Sequence, residues 1–208
     1  MLIRIERYIG LKISFSQFGE DFFFENLNLI PGTYLEIGCN HPVLASNTFK
    51  LYTKGWKGVV VDGDSDFESS WIRARPKDKF VHALVSNKVE RVKFYKHQST
   101  YVSSISIDHV SQFDENEFSS IEEETTTIND LIKQYKIQHI DILFLDIEGM
   151  DYQVLSSLDL ESVQPKYICI EDHEYLNGSS KICNFLEKNK YEMFMRSGPS
   201  FVYAKDCR

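Results

Sequence analysis

Residues 33–62 read TYLEIGCNHPVLASNTFKLYTKGWKGVVVD, and their punctuation decides the fold. TYLEI (33–37) and GVVVD (58–62) are brief, nearly continuous β-rich runs, each ending in or next to a polar residue, as parallel strands buried on both faces do. Between them stands a helix candidate, Asn47–Lys54, introduced by Ser46. Strand, helix, strand is the unit from which a doubly wound α/β sheet is assembled.

The same pattern continues outward. FVHALV (80–85), DILFLD (141–146) and YICIE (167–171) read as further strands. Helices are predicted around Phe67–Ala74, over Ile128–Tyr135 after Thr127, over Gly149–Ser157 and over Ser180–Asn189. The last piece differs: YEMFMR (191–196) and SFVYAK (200–205) flank Ser197-Gly198-Pro199, too short a link for a crossover helix, so they predict an antiparallel hairpin. In the middle, RVKFYKH (91–97) reads as a strand and EEETTTI (122–128) as a short extended piece. The stretch 98–121, within a wider segment 97–126, is expected to be a loop or lid over the site. One domain over 1–208 is expected, with 1–30 as an N-terminal helical cap.

Composition excludes several classes. A net charge of −8 disfavours a standing grip on nucleic acid, so no nucleic-acid partner is expected. No run approaches the apolar length of a membrane span, and the N-terminus lacks the continuous apolar core of a secretion signal, so a soluble, cytoplasmic protein is expected. Cys39, Cys169, Cys183 and Cys207 lie far apart with no C-x-x-C, and read as free thiols.

In an open parallel sheet ligands bind beyond the carboxyl ends of the strands. The residues there are Glu36-Ile37-Gly38-Cys39-Asn40-His41, Asp62-Gly63-Asp64, Leu84-Val85-Ser86, Asp146-Ile147-Glu148-Gly149 and Glu171-Asp172-His173. Gly38 is one glycine where a pyrophosphate cradle would need several, while Asp62 is placed to accept hydrogen bonds from two ribose hydroxyls. An adenosine ligand without a diphosphate suits both. Joined to the terminal hairpin, these features describe the class I S-adenosylmethionine-dependent methyltransferase architecture: α/β, doubly wound, with a mostly parallel seven-stranded Rossmann-like sheet.

SQFGED (16–21), GTYLEIGCNHPVLASNT (32–48), LYTKGWKGVVVD (51–62), TTTINDLI (125–132) and above all IDILFLDIEGMDYQVL (140–155) make the chain resemble the FkbM family of methyltransferases, from about Ser16 to the hairpin. The resemblance implies S-adenosylmethionine as cofactor. On matching positions it implies Glu36 and Gly38 beside the methionine part, with Cys39, Asn40, His41 and Asn47 of the same block and Asp146 also binding the cofactor. Asp62 would hold the ribose, and Gly63, Asp64, Val85 and Ser86 would border the adenine. Gln17, Glu20 and Asp21 would close over the aminoacyl group or the acceptor. Asp62-Gly63-Asp64-Ser65 stands where family members often carry Pro-Asn after the acid, a departure at the adenine edge.

A sugar hydroxyl is a poor nucleophile at neutral pH, so a base or a metal is expected with the sulfonium. His173 is the candidate general base, with Asp146 orienting the acceptor and Glu148 beside it. Mg²⁺ or another divalent cation is an option on Asp146, Glu171 or Glu148, and His173. Glu148 also reads as a helix N-terminal carboxylate, and His41 with Pro42 as either a loop-shaping pair or a cofactor wall. His82, His97, His109 and His139 read as surface or structural, Trp56 as core, and Tyr101, Ser103 and Ser104 as plain loop before acceptor contacts.

The expected activity is O-methylation of a sugar, nucleotide-linked sugar or related polar metabolite, in surface-polysaccharide or natural-product assembly; that acceptor class comes from the resemblance alone. A nicotinamide oxidoreductase would need a pyrophosphate loop. A silent methyltransferase-like binding domain would have shed the strand-end acids that are present here, and N- or C-methylation stays open. Leu2–Phe15 would pack on its own domain or on the second subunit of a homodimer.

Overall fold

The computed structural model describes residues 13–27, 29–98, 103–175 and 180–205. Within them the chain forms strands β1 (Thr33–Ile37), β2 (Lys57–Asp62), β3 (Lys79–His82), β4 (Leu84–Ser86), β5 (Arg91–His97), β6 (Phe118–Thr127), β7 (Ile142–Leu145), β8 (Tyr167–Glu171), β9 (Tyr191–Ser197) and β10 (Ser200–Lys205). Helices α1 (Glu20–Asn26), α2 (Phe49–Thr53), α3 (Glu68–Ala74), α4 (Ile107–Val110), α5 (Ile128–Gln134), α6 (Asp151–Ser157) and α7 (Lys181–Lys188) alternate with them. Residues 1–12 of the expected N-terminal cap, Tyr101 and Cys207 lie outside the described residues.

Seven strands make the main sheet in the order β3-β2-β1-β7-β8-β10-β9. β3 to β8 run parallel, and β10 is antiparallel to both β8 and β9, so the terminal hairpin inserts its last strand next to β8. The order reverses direction between β1 and β7, which opens a crevice at their carboxyl ends.

Both faces of the sheet are covered, which is why its strands are continuous apolar runs. Leu35, Leu143 and Ile168 point to one face, under Val154, Leu155 and Leu186. Tyr34, Phe144 and Cys169 point to the other, under Phe24, Leu51, Trp56 and Trp71. Each fully buried aliphatic or aromatic side chain contributes roughly 1.5–3 kcal/mol. Helix starts follow local capping: the Thr127 hydroxyl accepts the Asp130 N–H at 3.1 Å and the Ser180 hydroxyl accepts the Cys183 N–H at 2.8 Å. Cys39, Cys169 and Cys183 are free thiols.

Two expectations in the middle of the chain need correction. FVHALV, read as one strand, is two: β3 pairs with β2, the backbone turns at Ala83, and β4 pairs with β6 in a separate sheet of order β4-β6-β5. The stretch 97–126 is largely regular structure where a loop was expected: it carries α4, a 3₁₀ turn at Glu115–Glu117 and most of β6, which pairs antiparallel with β5 from His97↔Phe118 to Arg91↔Glu124. Lys96 fastens this small sheet to the end of β2 by binding Asp64 at 2.7 Å and Asp66.

Candidate active site

A cleft of about 950 Å³, counting the solvent-open space at its mouth, lies at the carboxyl ends of β1, β2, β4 and β7. Its floor is a backbone crossing: Gly38 follows β1 with φ +80, and a Cβ there would stand 1.7 Å from the Asp146 carbonyl oxygen. Only glycine lets these two strand ends meet.

At one end the cleft is apolar, walled by Val85, Leu84, Phe67 and Phe94, the last contributed by β5. In its middle, half-buried Asp62 accepts the Asn40 N–H at 2.6 Å and the Asp64 N–H at 2.8 Å. Burial pushes this carboxyl up to about 6 against the pull of those two N–H groups. At the other end lie Gln17, Glu36, Asn47, Asp146 and Glu148. Glu36 is buried and pushed up to about 7, with Arg75 and the Thr48 hydroxyl opposing the rise.

D-I-E-G-M-D is legible residue by residue. Asp146 ends the strand, Glu148 (φ 51) and Gly149 (φ 97) turn left-handed, and Asp151 folds back to accept the Ile147 N–H at 3.1 Å and the Gly149 N–H at 3.3 Å. The Ser104 hydroxyl donates to the Glu148 carbonyl at 2.7 Å. A left-handed glutamate is strained by roughly 1–2 kcal/mol, and these bonds hold it with its carboxylate beside Asp146.

Asp146, Glu148 and Glu171 each bring an oxygen within 4.8 Å of the others. Asp146 Oδ1 is sealed from solvent and has no hydrogen-bond partner among the described residues. Burial first, then Glu171, Glu148, Asp151 and Glu20, push Asp146 well above the usual carboxylate range. Burial, with Glu171 and Asp151, pushes Glu148 up to about 8, and Glu171 is also raised, burial being the largest cause. Burial and mutual repulsion favour the protonated forms in such a cluster, and a bound cation would favour the charged ones.

The predicted residues fall into three groups. Gln17, Glu36, Gly38, Cys39, Asn40, Asn47, Asp62, Gly63, Asp64, Val85, Asp146 and Glu148 line the cleft together. Glu171 and His173 line a shallower neighbouring cleft, where His173, its side chain 71% exposed, pairs through Nε2 with Glu171 at 3.1 Å. Glu20, Asp21, His41 and Ser86 stand behind the walls. Asp21 is occupied by Ser14, the Phe15 N–H and Ser16, Glu20 accepts the Phe18 N–H, and His41 Nδ1 accepts the Val43 and Leu44 N–H groups, which shapes the loop.

His109, read as surface or structural, is in the site: its Nε2 lies 3.3 Å from Glu148 Oε2. The small sheet and α4 bring it there, along with Phe94 and Ser104, and no spacing in the sequence signals that. Trp56 is core and Tyr34, Arg75 and Thr48 form a buried network behind Glu36, also unread.

The donor set fits an adenosyl cofactor with a cationic amino-acid end: apolar walls, a ribose-height acid, then buried carboxylates with an orphaned oxygen. Strand order and inserted terminal strand are those of a class I methyltransferase. The model of the methyltransferase FkbM domain matches residues 36–193, and the chain belongs to that family of S-adenosylmethionine-dependent methyltransferases. Among solved structures it is similar to a ribosomal protein L11 methylase from Lactobacillus delbrueckii subsp. bulgaricus, at TM-score 0.50 and 11% identity over 95% of this chain and 83% of that one. A TehB-like SAM-dependent methyltransferase from Corynebacterium glutamicum aligns at TM-score 0.44 and 14% identity over 99% and 95% of the two chains. No curated protein matches. Among the described residues no helix is long and apolar enough to cross a membrane.

Proposed function

We propose that the protein transfers a methyl group from S-adenosylmethionine to a hydroxyl oxygen of a sugar, nucleotide-linked sugar or related small polar metabolite, in the cytoplasm. The observation that carries this is the carboxylate trio Asp146, Glu148 and Glu171 where two clefts adjoin, one with apolar walls and Asp62 in its middle, the other shallower and lined by His173.

Val85, Leu84, Phe67 and Phe94 would take the adenine, Asp62 the ribose, and Glu36, Asn47 and Gln17 the amino-acid end. The bound cofactor supplies an activated methyl sulfonium. The C–O bond forms as the S–C bond breaks, and the hydroxyl proton passes to a base. Of the two carboxylate–imidazole pairs that involve the trio, Glu171–His173 is reachable by an acceptor from solvent, whereas His109 is only 15% exposed. His173 is therefore assigned as base, with Asp146 orienting the acceptor oxygen. The trio's oxygens also suit a hard divalent cation, which would polarise that oxygen.

Incubation with methyl-tritiated S-adenosylmethionine and a panel of free sugars, nucleotide sugars and their amino analogues, with and without EDTA, tests the reading. Label in an alkali-stable ether supports it, and label only in amines would assign N-methylation.

A further inference from the structure

Thr48 is the N-cap of α2, yet its hydroxyl caps nothing: no side-chain bond is made to the helix N–H groups. N-cap threonines are favoured because they satisfy such a donor, so this hydroxyl is committed elsewhere. It lies 2.6 Å from Glu36 Oε2 and 2.8 Å from Arg75 Nη2.

Arginine donates and cannot accept, and that settles the direction of every bond. Arg75, 1% exposed, spends all five N–H groups: Nε on Asp78 at 2.7 Å, Nη1 on the Pro42 carbonyl at 3.3 Å and Ser46 at 3.1 Å, Nη2 on the Tyr34 hydroxyl at 2.7 Å and on Thr48, with Asp78 Oδ2 also ion-paired to Nη2 at 2.7 Å. Thr48 Oγ1 must therefore receive from Arg75, and its single proton is left for Glu36. The Tyr34 hydroxyl likewise receives from Arg75 and donates to Asp78 at 2.8–2.9 Å. Among the described residues no hydrogen bond joins the guanidinium to Glu36; it acts on that carboxyl by its charge and through one hydroxyl.

We propose that Thr48, oriented by Arg75, is a positioning residue that holds Glu36 ionised and aimed for the cofactor's α-ammonium. The inference rests on the cofactor reading above. Glu36 is otherwise badly placed to carry charge. It is buried, and the groups facing it are Asp62 from β2, Asp78 before β3, Tyr34 on its own strand, and the thiols of Cys39 and Cys169, with Arg75 the opposing cation. Burial alone favours the neutral acid, which offers an ammonium no charge.

The test is calorimetric titration of the full chain with S-adenosylhomocysteine from pH 6 to 8.5, for wild type, T48V and T48S. Wild-type affinity is expected to fall on the acid side of about 7, where Glu36 takes up its proton. T48V should move that midpoint upward by about one pH unit and weaken binding about fivefold at pH 7, with convergence toward wild type at pH 8.5. T48S, which keeps the hydroxyl, should follow wild type. Should T48V melt, T48A reads the same midpoint. A midpoint unmoved in T48V, or a loss equal at every pH, overturns the relay alone. Failure of folded wild type to bind at any pH overturns the cofactor reading and the relay with it.

Discussion

Gly38 and Asp146 meet backbone to backbone across the centre of the sheet: the Asp146 N–H donates to the Ile37 carbonyl at 3.1 Å, and the space a Gly38 side chain would need is filled by the Asp146 carbonyl oxygen. The glycine turn after β1 and the carboxylate end of the cleft thus share one contact. G38A should cost about 3 kcal/mol or more of stability, since positive φ and a steric clash add. Urea unfolding checks this, and any folded fraction should bind S-adenosylhomocysteine poorly.

The carboxylate cluster makes stability depend on pH in an unusual direction. Glu148, Glu171, Asp146 and Asp151 all have raised pKa values, so between the unfolded values near 4 and the folded ones the native state holds more protons than the unfolded chain. Stability from these groups is greatest at low pH within that window and declines as pH rises toward about 8, the value of Glu148. The melting temperature of the ligand-free protein should fall from pH 5.5 to 8.5. E148Q should flatten the curve and raise the melting temperature at pH 8.5 by roughly 2–4 °C. A curve rising across the window would contradict this.

Cation binding should discharge the same cluster. At pH 7, titration with S-adenosylmethionine should release protons, seen as a dependence of the binding heat on the ionisation heat of the buffer. S-adenosylhomocysteine, which lacks the sulfonium charge, should release fewer.

The two histidines can be separated by kinetics. H173A should lower methyl transfer by about 10²–10⁴-fold with cofactor affinity unchanged. H109A should act mainly by loosening Glu148, with a smaller loss. If H109A proves the more damaging, the base is on α4 and the acceptor enters from that side.

Much of this arrangement was legible because the main sheet is buried on both sides. TYLEI, GVVVD, DILFLD and YICIE announce themselves by unbroken apolar character, and the Ser197-Gly198-Pro199 link by its brevity. The strand-end acids then follow from topology. The small sheet was not legible, for physical reasons. β6 is FSSIEEETTT, mostly exposed and held by backbone pairing, so it carries no apolar alternation. FVHALV keeps apolar residues on both sides of the bend at Ala83, with only His82 exposed, because Val81 is buried in one sheet and Leu84 and Val85 in the other. What that sheet delivers, Phe94, Ser104 and His109, was hidden with it. Thr48 was hidden differently: the expected helix, Asn47–Lys54 after Ser46, takes Thr48 inside it, whereas α2 starts at Phe49 and the arginine beside Thr48 claims its hydroxyl.

The most direct measurement of the central claim is calorimetric titration of wild type and D62A with S-adenosylmethionine, S-adenosylhomocysteine and NAD⁺. The account predicts that wild type binds the first two and not the third, and that D62A, still folded, loses at least about tenfold in affinity as the ribose contact goes. Folded wild type binding neither adenosyl ligand, or D62A binding both as tightly as wild type, would contradict it.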